Sequence, residues 1–112
     1  MPDVAYLIQD MLFTSKVREA AKASGLTVQA AREVPAFIEA AREARLAVVD
    51  LRLPAAAAAL EALQGLSPRP RTVGFVDHER TDVMDAARAR GAEVMAKGQF
   101  ANALPKLLAG LK

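Results

Sequence analysis

"AVVDLRLP", residues 47–54, is where an apolar, β-branched run stops on an aspartate, Asp50, and the chain turns through Pro54. A short apolar run bounded by a turn signal reads as a strand buried on both faces. Outward from it in both directions, short apolar runs alternate with amphipathic stretches. "VAYLI" (4–8) reads as a first strand, and Phe13, Val17, Ala20 and Ala21 mark one face of a helix that Gly25 closes. "LTVQA" (26–30), shorter and more polar, reads as an edge strand. A second helix follows, with Pro35 in its first turn and Phe37, Ile38 and Ala41 facing inward.

"RLAVVD" (45–50) is the third strand, and "AAAAALEALQGL" (55–66) is a third helix on propensity alone, ended by Gly65 and Pro68. "RTVGFV" (71–76) is the fourth strand, followed by a helix that Thr81 can cap and that presents Val83, Met84 and Ala87 ahead of Gly91. "EVMA" (93–96) is the fifth strand. Leu104, Leu107, Leu108 and Leu111 make a last amphipathic helix, with Pro105 in its first turn. Strict βα alternation implies an α/β fold with a parallel sheet covered on both faces, because each parallel crossover needs a helix. The run-like first, third, fourth and fifth strands are expected to be buried on both sides.

A chain of 112 residues suits one domain, 1–112, with a single core. With 53% hydrophobic and 25% charged residues it is expected to fold alone. It has no cysteine, which excludes disulfides and thiol chemistry and fits a reducing cytoplasm. The start, MPDVAYLIQD, has no basic region ahead of its apolar run, so neither export nor a membrane is expected. The net charge is +2, with Arg and Lys scattered singly, and that is a solvated surface rather than a nucleic-acid footprint. His78 is the sole histidine, too few for a zinc site, and no GxSxG elbow or glycine-rich phosphate loop is present.

In an open parallel sheet the functional crevice lies beyond the carboxyl ends of the strands. The polar residues there are Gln9 and Asp10 after the first strand, Asp50 after the third, Asp77, His78 and Glu79 after the fourth, and Lys97 after the fifth. In a flavodoxin-like doubly wound sheet, order 2-1-3-4-5, these groups share one rim.

"LAVVDLRLP" with a lysine, Lys97, 47 residues after Asp50 resembles the receiver domain of bacterial response regulators, and the five-fold βα alternation extends the resemblance over the whole chain. The resemblance implies that Asp50 stands at the phosphoacceptor position and Lys97 at the lysine that holds phosphoryl oxygens, with Gly98 where the family usually has proline. It places Ile8 and Gln9 at the Mg²⁺-binding acidic pair, with Asp10 one residue late; a one-residue slip would make Asp10 a ligand beside Asp50. The hydroxyl that ends the fourth strand in the family falls at Val76, and the switch aromatic of the fifth strand falls at Val94. Both halves of the switch are therefore degenerate. An Asp50–Lys97 ion pair, with no metal between them and Val76 facing the place of the absent hydroxyl, is the expected geometry.

Two functions follow from the resemblance. One is a stand-alone pseudo-receiver, a non-enzymatic module without cofactor that binds a protein partner through the face of helix four, strand five and helix five, where Val94, Lys97, Phe100 and Leu104 would set the contact. That face would also permit a homodimer. The alternative is a working single-domain response regulator in a phosphorelay, with Asp50 accepting a phosphoryl group from a histidine kinase or phosphotransfer protein with the help of Mg²⁺.

Overall fold

The structure, a computed structural model, describes residues 1–111. Five strands and five helices alternate: β1 (Val4–Leu7), α1 (Met11–Ala23), β2 (Val28–Ala31), α2 (Val34–Ala41), β3 (Leu46–Asp50), α3 (Ala56–Gln64), β4 (Arg71–Val76), α4 (Thr81–Ala89), β5 (Glu93–Ala96) and α5 (Lys97–Ala109). The strands form one parallel sheet in the order β2-β1-β3-β4-β5. The alternation implies the doubly wound parallel sheet, and the order of its strands is the expected flavodoxin-like one.

Side chains of one strand point alternately to opposite faces, and the sheet therefore divides the core in two. Val4, Tyr6 and Ile8 meet Phe13 and Val17 of α1 and Phe100, Leu104 and Leu108 of α5 on one face. Ala5, Leu7, Ala47 and Val49 lie with Phe37 of α2, Leu60 and Leu63 of α3 and Ala87 of α4 on the other. The polyalanine run packs on the sheet: Ala56 and Ala59 are buried, and their small side chains let α3 lie close. Gly25 and Gly91 take φ of +70° and +86° just past α1 and α4, where the left-handed turn returns a backbone N–H to the last helical carbonyls.

Four expectations need correction. β5 is not buried on both sides: Glu93 is exposed and Val94, Met95 and Ala96 are half-buried, because the strand order leaves β5 at an edge with one neighbour. β2 begins at Val28 rather than Leu26, since Thr27 is taken up in a clasp with Asp3, whose carboxylate accepts from the Thr27 N–H at 2.9 Å. Thr81 is the first helical residue of α4 and not its cap; Arg80 precedes the helix and makes no side-chain capping bond. α5 starts at Lys97, directly after β5, so Pro105 falls inside the helix rather than in its first turn. No helix among the described residues is long and apolar enough to cross a membrane.

Candidate functional site

Asp50 ends β3 at the carboxyl rim of the sheet and is 2% exposed, the only buried charged side chain among the described residues. A buried carboxylate needs compensation, since stripping water from a charge is costly. Arg52 supplies it. The chain turns after β3, with Leu53 N–H donating to the Asp50 carbonyl at 3.2 Å, and this fold-back brings the side chain of residue 52 over that of residue 50. Oδ1 of Asp50 accepts from the Arg52 backbone N–H at 3.0 Å and from Nε at 2.8 Å, while Oδ2 accepts from Nη2 at 2.9 Å. The result is the two-pronged guanidinium–carboxylate pairing that is the strongest of ordinary charged hydrogen bonds.

The same guanidinium reaches a second carboxylate: Nη2 donates to Oδ2 of Asp10 at 3.2 Å. Asp10 is positioned as the N-cap of α1, where its Oδ1 accepts from the Leu12 and Phe13 N–H groups at 2.8 and 3.2 Å. Arg52 Cζ also lies 5.4 Å from the ring centroid of Phe13 and 5.5 Å from that of Phe75, within reach of their π faces. Those rings belong to a stack in which Phe75 stands 4.7 Å from Phe13 and 4.5 Å from Phe100. The cation is thus fixed between two carboxylates and an aromatic wall.

Bonding to Asp50 raises the Arg52 pKa still further, with the Asp10 bond adding to it. The Asp10 carboxyl is held below its ordinary 3.8, chiefly by the Phe13 N–H, then by Leu12 and Arg52. Asp77 is also lowered, chiefly by its bond to Lys97.

Lys97 pairs with Asp77, not with Asp50: Nζ lies 2.6 Å from Asp77 Oδ1, and both side chains are partly exposed. Register explains the correction. Val76 pairs with Ala96 across β4 and β5, so the next residues, Asp77 and Lys97, are neighbours, while Asp50 lies one strand further away opposite Phe75. Val76 is 1% exposed and sits in the core of the α2–α4 face, and Val94 is half-buried against the same core. Gln9 is exposed after β1. Phe100 and Leu104, expected at a partner contact, are 0% and 2% exposed and belong to the core, because α5 turns them onto the sheet.

Arg52 is the residue that sequence reading missed. Its signal was its place two residues after Asp50, the spacing at which a long side chain can fold back across a turn. As arranged, the donors do not fit a hydrated divalent cation: Asp10 and Asp50 both face a guanidinium, Asp77 faces an ammonium, and no cluster of three metal-ligating side chains forms among the described residues.

No protein-family model matches the sequence, and no curated protein matches it. Solved structures do match. The receiver domain of a sensor histidine kinase from Pseudomonas aeruginosa PAO1, with a magnesium ion coordinated in its active-site cleft, superposes with a TM-score of 0.77 at 13% identity, covering 98% of this chain and 96% of that one. A response regulator from Thermotoga maritima gives 0.77 at 15% identity, covering 99% and 97%. A CheY-like protein (tadZ) from P. aeruginosa PAO1 gives 0.75 at 18% identity over 100% of both chains. The chain has, along its whole described length, the fold of response-regulator receiver domains.

Proposed function

We propose that this chain is a pseudo-receiver, a signalling module that acts by protein–protein contact while Asp50 is held out of phosphoryl chemistry. The observation that supports the reading is the Arg52 guanidinium bound to both oxygens of Asp50. A carboxylate attacks phosphorus with a free oxygen lone pair, and cations around the transferred oxygens carry most of the catalysis. Here the cation nearest the carboxylate faces the nucleophile itself, the ammonium of Lys97 is turned to Asp77, and Val76 offers no hydroxyl. Asp50 then serves as an anchor for the β3–α3 turn, and no metal is needed.

The partner we propose is a protein that meets the α4–β5–α5 face. β5 is an edge strand whose Val94 and Met95 are half-buried, with Lys97 partly exposed at the start of α5; Phe100 and Leu104 support this face from below. A second copy of the chain is one form such a partner can take.

Intact mass after incubation with Mg²⁺ and acetyl phosphate, beside Asp50→Asn, tests the reading. We expect no adduct under conditions that label an ordinary receiver. A labile phosphoryl adduct that is absent from Asp50→Asn would overturn it and make the chain a working response regulator.

A further inference from the structure

A cleft of about 680 Å³ opens beyond the carboxyl ends of β1 and β2, beside the first turns of α1 and away from Asp50. Among its lining residues is Tyr6, 1% exposed in the core of the α1–α5 face. The Tyr6 hydroxyl makes no hydrogen bond to a described residue, yet among the described residues no enclosed side-chain polar atom lacks a partner. The hydroxyl is therefore reached from the cleft that Tyr6 lines. A tyrosine this deeply buried ordinarily satisfies its hydroxyl, and this one has no partner among the described residues.

The charge of the cleft is one-sided. Arg18 from α1 and Arg32 just after β2 line it, neither is in an ion pair with a described residue, and no carboxylate is among the lining residues. Thr14 and Ser15 add hydroxyls, and Ile8, Ala30, Ala31 and the exposed Met11 add apolar wall. The volume lies within the range of small-molecule sites, which combine an apolar lining with a few converging polar groups. Two guanidiniums match a dianion, and their planar donor sets suit phosphate oxygens.

We propose that this cleft binds a small phosphate monoester with an apolar body, of the size of a nucleoside monophosphate. The phosphate is held by Arg18 and Arg32, and the body lies against Ile8, Ala30 and Ala31 with the Tyr6 hydroxyl beside it. The site is separate from Asp50 and does not depend on the function proposed above.

The test is titration of the ¹⁵N-labelled protein with the four ribonucleoside monophosphates and phenyl phosphate, with adenosine and inorganic phosphate as partial probes. We expect at least one monoester to shift the amides of residues 6, 9, 14, 15, 18 and 32 in a saturable way, more tightly than either partial probe. Arg18→Gln with Arg32→Gln, both exposed and so safe for folding, should weaken binding by roughly tenfold or more, and Tyr6→Phe, which removes only the hydroxyl, should weaken it by about threefold, in keeping with single hydrogen bonds. No saturable shift with any monoester, binding unchanged in the double arginine variant, or adenosine binding as tightly as its monophosphate would each overturn the proposal.

Discussion

Arg52 and Asp50 are two residues apart, and the guanidinium of one closes on both carboxylate oxygens of the other at 2.8 and 2.9 Å. One of the pair is buried and the other is partly open to solvent, the Arg52 side chain being 26% exposed. Removing the guanidinium takes away both side-chain donors and leaves the Asp50 carboxyl with the backbone N–H of residue 52 alone. Arg52→Ala should therefore cost about 2–4 kcal/mol, toward the range seen when one partner of a buried pair is deleted and reduced for partial exposure. Arg52→Lys should recover only part of this, because an ammonium cannot make the parallel bonds. Urea unfolding of both variants, with Asp50→Asn completing a double-mutant cycle, measures the coupling; a coupling near zero would contradict the geometry.

Lys97 provides the contrast. Its partner is Asp77, and both side chains are about two-fifths exposed. Exposed pairs contribute little, so Lys97→Ala should cost less than about 1 kcal/mol. The amide shift of Arg52, which donates to Asp50, should not move in the same variant. A large loss of stability, or a shifted Arg52 amide, would return Lys97 to the Asp50 pocket.

Acid should weaken the fold through Asp10 and Asp77. Both have folded pKa values below the ordinary 3.8, Asp10 through the N–H groups of α1 and Asp77 through Lys97. The unfolded chain therefore binds more protons across the window that begins near 3.8 and runs downward. Their stabilisation is complete above that window and is lost as pH falls through the folded values. Asp10→Asn keeps a capping oxygen but removes the charge, and it should flatten the fall in stability between neutral and acid pH, while Asp10→Ala should also lose about 1 kcal/mol of capping at neutral pH. Chemical denaturation at several pH values distinguishes the two.

Gly74 tests how β4 holds the β3 turn. A Cβ added there would stand 2.8 to 2.9 Å from the Leu51 side chain, including its Cγ. Leu51 follows Asp50 directly and its N–H donates to the Phe75 carbonyl at 2.9 Å. Gly74→Ala should push Leu51 outward, cost about 1–3 kcal/mol by overpacking, and change the amide shifts of residues 50–53. Silent spectra there would show that the turn is not held by this contact.

The alternation of apolar runs with amphipathic stretches was enough to establish five strands, five helices and a parallel sheet, because burial on a helix face and on a strand leaves different periods in the chain. The same patterning placed Asp50, Asp77 and Lys97 at one rim. It could not say which carboxylate Lys97 holds: that depends on register, and only the pairing of Val76 with Ala96 sets Asp77 beside it. It could not see that β5 is half-bare, since an apolar run reads alike at an edge and in the centre of a sheet. Nor could it find Arg52 closed over Asp50, or Tyr6 beside the cleft at the ends of β1 and β2. A side chain's partner is decided by where the turn after β3 and the packing of α1 bring groups together in three dimensions; linear spacing puts Arg52 within reach of Asp50 but does not say that the two close on each other.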